Sequence, residues 1–219
     1  MTASHAGAPE DAGGLVTRVL AIRHGETDWN VGARIQGHTD IPLNPRGVEQ
    51  ARRLAQALAD EALHAVYSSD LARTRETARA LAQARGLPLT EDPALRERQF
   101  GAFEGLTFEE IGRQWPDEAE RWRRRDPDFG PPGGERLADF YARSIAAVEA
   151  LAQAHAGRSI ALVTHGGVLD CLYRAATRIE LQASRTWQLG NAAINRLLHS
   201  PEGFVLVGWN DHQHLMALD

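Results

Sequence analysis

Two short apolar runs, Leu15–Ile22 (LVTRVLAI) and Ser159–Thr164 (SIALVT), both break off into a histidine followed by glycine. The first continues into Arg23-His24-Gly25-Glu26-Thr27 and the second into His165-Gly166-Gly167. Apolar, β-branched runs of this length read as buried strands. Strands alternating with helical patterns predict an α/β fold: a three-layer sandwich with a mostly parallel central sheet flanked by helices. In such a sheet ligands bind beyond the carboxyl ends of the strands. Both histidines are therefore expected at one rim, where the glycines after them allow tight turns and close approach of backbone N–H groups to an anion.

The other elements follow from local signals. Residues 1–14 (MTASHAGAPEDAGG) are small and polar and read as a disordered tail. Residues 15–219 read as a single domain. The stretch Arg23–Leu43 is rich in Gly, Asn, Thr and Asp and reads as a loop. Asn44-Pro45 then supplies an N-cap and a first-turn proline. The helix Pro45–Glu61 is expected to bury Val48, Ala51, Leu54, Ala55 and Leu58. Ala65-Val66-Tyr67 is a short strand, and Asp70 is expected to cap a helix running to about Arg85. Leu87–Thr90 is extended. Residues 100–134 change character and read as an inserted lobe over the sheet, with a helix around Phe108–Trp115. A helix from about Glu135 to His155 follows. Residues 193–209 read as two strands joined by the turn Ser200-Pro201-Glu202-Gly203.

Composition narrows the chemistry of the rim. The chain has 219 residues, 24 of them basic and 29 acidic, a net charge of −5. Every basic residue is arginine; there is no lysine. Schiff-base, pyridoxal-phosphate and Walker-type lysine chemistry are thereby excluded. The single cysteine, Cys171, cannot form an internal disulfide or a multi-cysteine metal site, and its setting (VLDCLY) marks it as a buried small hydrophobe. The mild acidity argues against nucleic-acid or anionic-membrane binding, and no apolar run reaches the roughly 20 residues of a membrane span. With no signal-peptide pattern and one cysteine, a cytoplasmic setting is expected.

What remains is arginine, carboxylate and histidine. The strand AVYSS ends just before Asp70-Leu71-Ala72-Arg73-Thr74-Arg75, which puts arginines near a helix start at the same rim. Guanidinium forks match phosphate oxygens with paired hydrogen bonds. Two histidines, several arginines and helix N-termini make a phosphate site with no metal and no lysine. Arg73 and Arg75 also suit a helix surface, where Asp70 and Glu76 offer partners. His212-x-His214 lacks a third ligand at metal-binding spacing and reads as a solvated C-terminal segment, and the run Arg121–Arg125 as a solvated face. Neither GxSxG nor GxGxxG occurs.

In combination the motifs resemble the histidine phosphatase superfamily, also called phosphoglycerate mutase-like. The resemblance runs from about Val16 to Trp209. It rests on RHGETDWN at 23–30, QGHTDIPLN at 36–44, SSDLARTRETA at 68–78, LRERQFGAFEG at 95–105, PPGGE at 131–135 and THGG at 164–167. It implies that His24 is the nucleophile that becomes a phosphohistidine and that Glu97 is the proton donor. Arg23, Arg73 and His165 surround the transferring group. Asn30, Gln36, Gly37, Arg75 and Gly166 match phosphate- or substrate-contacting positions. The attacking imidazole needs one nitrogen unprotonated and the other donating to a backbone carbonyl. His165 helps most as a cation, which a phosphate dianion favours.

A phosphatase and a mutase share such a site. The mutases are typically longer between the acid and the second histidine motif. They usually carry Thr-Gly where this chain has Gln36-Gly37. Many relatives have serine where this chain has Arg136. The resemblance therefore implies a phosphatase of small, sugar-phosphate-like monoesters that needs no cofactor. The alternative is a phosphoglycerate mutase dependent on 2,3-bisphosphoglycerate. A module that binds phosphorylated partners without chemistry ranks below both, because all five key positions are present. The partner is a small phosphorylated metabolite, and a homodimer is the assembly common among relatives.

Overall fold

A computed structural model of the chain describes residues 16–216; the expected disordered tail lies outside them. Six strands and seven helices are described: β1 (Thr17–Arg23), α1 (Asp28–Val31), α2 (Pro45–Ala57), β2 (Ala65–Ser68), α3 (Ala72–Arg85), β3 (Leu89–Glu91), α4 (Phe108–Gln114), α5 (Pro116–Arg123), α6 (Leu137–Ala154), β4 (Ser159–Thr164), α7 (Gly166–Thr177), β5 (Ile194–Ser200) and β6 (Gly203–Asp211). They form one sheet in the order β3-β2-β4-β1-β5-β6. β3, β2, β4 and β1 run parallel, and β5 is antiparallel to both β1 and β6.

The two apolar runs lie side by side, in a register that pairs Arg18 with Ser159 and Arg23 with Thr164. Their side chains alternate between two apolar faces, so both faces must be covered. Val19, Ala21, Ile160 and Leu162 pack with Phe140 and Val148 of α6 and Val168 and Leu172 of α7. Leu20, Ile22, Ala161 and Val163 pack with Leu54 of α2, with Leu58 just after it, and with Ala78 and Leu81 of α3. The result is the three-layer sandwich expected. Leu54 is fully buried, and its truncation to alanine costs about 2–5 kcal/mol.

Several local expectations are corrected. The 23–43 stretch is not loop throughout. Thr27 and Asn30 close a capping box around the short α1. Asn44 caps α2 as expected, accepting from the Gly47 N–H, but the helix ends at Ala57. Its buried face is Gly47, Gln50, Ala51, Leu54 and Ala55, and Val48 is exposed. The close approach of Gly47 to the Glu26 backbone leaves no room for a Cβ at position 47. Asp70 does not cap α3. Its carboxylate is taken by Arg96 at 2.6 Å, and the Ala72 N–H donates instead to Asp40 Oδ1 at 2.7 Å.

Residues 100–134 build a small core of their own, Phe103, Ile111, Ala119 and Phe129. Trp115 and Trp122 lean on Phe103, and the exposed Phe108 stacks on Trp122 at 4.3 Å. These aromatics pack the lobe. Arg121, Arg123 and Arg124 pair with Asp126 and Glu120 on its surface. Arg125 departs from the solvated-face expectation: it reaches inward to Asp170 on α7 at 2.6 Å and to the Leu181 carbonyl. Among the described residues no helix is long and apolar enough to cross a membrane.

Candidate active site

β1 and β4 end level with each other, so His24 and His165, the residues that follow them, emerge side by side. The His24 N–H donates to the Thr164 carbonyl at 3.0 Å, and the ring centroids are 5.3 Å apart. Both side chains are buried. His24 Nδ1 lies 2.7 Å from the Gly25 carbonyl oxygen. A carbonyl only accepts, so Nδ1 carries the proton and Nε2 keeps its lone pair. Burial, then Arg73 and Arg23, hold the His24 pKa well below the ordinary value. His165 is depressed by burial and the Arg73 charge; its Nε2 is 2.8 Å from Ser69 Oγ.

Two guanidinium groups surround this pair. Arg73 is fully buried on α3, with Nη1 donating to the Thr39 carbonyl at 3.0 Å and Nη2 to the Gly37 carbonyl at 2.7 Å. Burial lowers its pKa to about 10, which leaves it charged at neutral pH. Arg23, at the end of β1, donates through Nη1 to the Leu189 carbonyl. Burial lowers its pKa, Glu97 opposes that shift, and Arg185 adds to it. Neither arginine has an ion-pair partner among the described residues, whereas Arg174, buried like Arg73, pairs with Asp170 at 3.0 Å. Buried cations without carboxylates are costly unless an anion joins them.

Glu97 reaches the same rim from the loop after β3. One carboxylate oxygen accepts from the Gly167 N–H at 2.9 Å, in the first turn of α7, and the other from the Arg98 N–H at 2.8 Å. A Cβ at position 167 would collide with that carboxylate, so glycine is what admits it. Gly166 lies against the Arg23 guanidinium. Gly37 adopts φ +54°, which delivers its carbonyl to Arg73. Gln36 is buried, with its Oε1 unpartnered among the described residues. Asn30 Oδ1 accepts from the Thr27 N–H at 3.0 Å.

Arg75 stands apart. It follows Arg73 by two residues, which turns it about 200° around a helix away from Arg73, and it faces the Asp70 carbonyl and Glu91 instead. Arg136 is at the N-cap of α6, paired with Asp139 at 2.7 Å. Cys171 is buried, and burial raises its thiol pKa. No group of three or more His, Cys, Asp or Glu among the described residues is arranged to hold a metal ion.

Some parts of the rim lie outside the sequence motifs' assigned roles. Thr77, one turn beyond Arg73 on α3, accepts from the Gly25 N–H at 3.0 Å. Its four-residue spacing from Arg73 is a readable signal. Glu104 accepts from the His38 and Thr39 N–H groups and so holds the 36–40 loop. Ser69, beyond β2, meets His165, and Asn191 Nδ2 donates to the His24 carbonyl at 3.0 Å.

The chain is 37% identical over 209 residues to a metal-independent phosphoserine phosphatase of Arabidopsis thaliana, covering 93% of this chain and 85% of that protein. It is 34% identical over 196 residues to a probable phosphoglycerate mutase of Serratia proteamaculans, covering 88% of this chain and 89% of that one. Among solved structures, a mycobacterial glucosyl-3-phosphoglycerate phosphatase superposes with a TM-score of 0.80 at 32% identity, over 89% of this chain and 99% of that chain. The model of the histidine phosphatase superfamily (branch 1) matches residues 19–212, and the chain belongs to that family.

Proposed function

We propose that the chain is a phosphatase of small phosphomonoesters that works through a phosphohistidine on His24. One observation carries this reading: the buried Arg73 and the half-buried Arg23, neither with a carboxylate partner among the described residues, flank a neutral imidazole whose Nε2 keeps its lone pair. An anion bound between Arg23 and Arg73 presents its phosphorus to that nitrogen.

Nε2 attacks phosphorus as the ester P–O bond breaks, and the leaving alkoxide takes a proton from Glu97. Charge spreads over the equatorial oxygens and is met by the two arginines. The substrate dianion also reverses the field at His165 and favours its protonation. The Nδ1–H of His24 stays on the Gly25 carbonyl throughout, so the phosphorylated ring keeps its orientation. Water then attacks phosphorus, Glu97 takes its proton, the N–P bond breaks, and inorganic phosphate leaves.

The preferred substrates carry a carboxylate beside the phosphoester. Arg185 supports this. It is exposed, makes no hydrogen bond or ion pair among the described residues, and lies on the segment whose Leu189 carbonyl receives Arg23. Two of the relatives are named for phosphoserine and glucosyl-3-phosphoglycerate, which are esters of that kind. The mutase reading is favoured by the relatives called probable phosphoglycerate mutases and by one called phosphoglycerate mutase-like.

Phosphate release is measured from p-nitrophenyl phosphate, phosphoserine and 3-phosphoglycerate, the last with and without 2,3-bisphosphoglycerate. Metal-independent release that disappears in His24→Ala, with an acid-labile phosphoprotein trapped in the wild type, is the expected result. Formation of 2-phosphoglycerate faster than phosphate release, dependent on the bisphosphate, would replace the phosphatase reading with the mutase.

A further inference from the structure

The side-chain amide of Asn30 is held by its oxygen. Oδ1 lies 3.0 Å from the Thr27 N–H, 3.1 Å from Thr27 Oγ1 and 3.2 Å from Asn191 Nδ2. The Thr27 contacts belong to the cap of α1; the Asn191 contact comes from 161 residues away in sequence. An amide with its oxygen so engaged must direct its NH2 the other way, where it is free to donate.

Asn191 Nδ2 also lies 3.0 Å from the His24 carbonyl and 3.3 Å from the Gly25 carbonyl. The latter is the oxygen that receives His24 Nδ1. One NH2 group thus contacts both the residue expected to hold phosphate and the carbonyl that sets the nucleophile's tautomer. The turn that carries it is braced. The Gly190 N–H donates to Asn210 Oδ1 at 2.8 Å, and the Ala192 N–H to the Arg23 carbonyl at 3.1 Å. Ala192 is fully buried in a left-handed conformation, φ +54°. Such a conformation costs a non-glycine residue about 1–2 kcal/mol and persists only when its surroundings enforce it.

We propose that Asn191 is a positioning residue for phosphoryl transfer: its amide orients Asn30 so that the Asn30 NH2 faces the bound phosphoryl group, and it holds the Gly25 carbonyl in line with His24 Nδ1. The inference rests on the phosphatase reading for its consequence in rate. Its structural content, the fixed orientation of Asn30, stands apart from that reading.

Asn191→Asp keeps the size of the side chain and replaces the NH2 donor by an oxygen that repels Asn30 Oδ1 and both carbonyls. Asn30 is expected to turn its NH2 towards the introduced carboxylate and away from the pocket. The tests are phosphate-release kinetics, inhibition by vanadate, thermal melting and the side-chain amide NMR signals of Asn30, assigned by their absence in Asn30→Ala. Loss of one buried, charge-directed hydrogen bond corresponds to a fall in kcat/KM of about ten- to a hundred-fold, with vanadate binding weakened in proportion and the Asn30 signals displaced. Asn191→Ala, a variant that adds no charge, should fall less, and should add at most about two-fold when placed on Asn30→Ala, as residues acting through one another do not add. Independent multiplication of the two effects overturns the proposal. So does wild-type kinetics in both variants, or failure of both to fold, which would make Asn191 a purely structural residue. If the wild type releases no phosphate, the phosphatase reading fails, while unmoved Asn30 signals in Asn191→Asp still reject the inference and displaced ones support it.

Discussion

His24 and His165 sit with ring centroids 5.3 Å apart because the parallel register of β1 and β4 pairs Arg23 with Thr164, the residues just before them. Each imidazole is pushed towards the neutral form by burial and by the Arg73 charge. The same cavity that suits a nucleophile therefore opposes its protonation.

That opposition makes stability depend on pH. In the unfolded chain both histidines titrate near 6.5. Below that pH the unfolded state binds protons that the folded state refuses, so stability falls as pH drops from about 6.5 towards the lower folded pKa values. The slope is about 1.4 kcal/mol per pH unit for each histidine, or about 2.7 for the two. The depressed carboxylates, such as Glu49 at about 2, act only below the ordinary carboxylate range, whereas His155 and His214, both lowered chiefly by burial, add to the slope in the same direction. Urea unfolding between pH 7.5 and 5.5 should show the slope, and His165→Gln should lower it by up to about 1.4 kcal/mol per pH unit. A flat profile in the wild type would contradict the depressed values.

Gly167→Ala tests the placement of Glu97. Alanine improves helix propensity by up to about 1 kcal/mol, so the melting temperature should change little. The added Cβ, however, must displace the Glu97 carboxylate from the Gly167 N–H. Turnover of esters with poor leaving groups should fall about 10²–10⁴-fold, the range of a lost general acid. p-Nitrophenyl phosphate, whose leaving group departs unprotonated, should suffer far less. An equal loss on both substrates would point to general damage.

The sandwich was legible because its signals are local. The apolar run at 159–164 coincides with β4, and Asn44-Pro45 marks the start of α2. The convergence of His24 and His165 was legible too, since two strand–His–Gly junctions in a parallel sheet must meet at one edge. What escaped were contacts set only by tertiary packing. Asp40 serves the N–H of Ala72, 32 residues on, Ser69 meets His165 across 96 residues, and Asn191 meets Asn30 across 161. No spacing announces them. Arg75 could have been separated from Arg73 by helix geometry, because positions two apart lie on opposite faces.

Arg73→Lys should behave as a severe change despite conserving charge. The guanidinium serves the Thr39 and Gly37 carbonyls from separate nitrogens, and a lysine ammonium cannot span both and also face a phosphate. One buried carbonyl left unpaired costs about 1–3 kcal/mol of stability. Loss of a preorganised donor should lower kcat about 10²–10³-fold. Denaturant unfolding and steady-state kinetics measure the two separately. Retention of more than a tenth of the wild-type kcat would remove Arg73 from the transition-state role.

Asp170 holds the lobe to α7. It accepts from Arg125 at 2.6 Å and from Arg174 at 3.0 Å, and both it and Arg174 are buried. Asp170→Ala leaves the buried Arg174 uncompensated, which costs about 3–5 kcal/mol. Arg125→Met leaves the Asp170–Arg174 pair intact and should cost less. The order of the two unfolding midpoints is the check, and a reversed order would mean that the lobe contact, not the buried pair, dominates.

Arg185 is exposed, so its contribution should be modest and should appear in binding. If it meets a substrate carboxylate, that contact exists before and during phosphoryl transfer alike, and uniform binding changes KM rather than kcat. Arg185→Gln should raise KM for phosphoserine and 3-phosphoglycerate by up to about five-fold, the scale of a solvent-exposed ion pair. KM for p-nitrophenyl phosphate, which has no carboxylate, should stay near the wild-type value. Arg185→Glu should widen the gap, because repulsion replaces attraction. The wild-type preference should also shrink between low and high salt, since an exposed pair is screened over about 10 Å at 0.1 M ionic strength. A KM rise of the same size for all three substrates would show that Arg185 acts through the Arg23 phosphate pocket, and no rise for any would end the case for a carboxylate contact at this position.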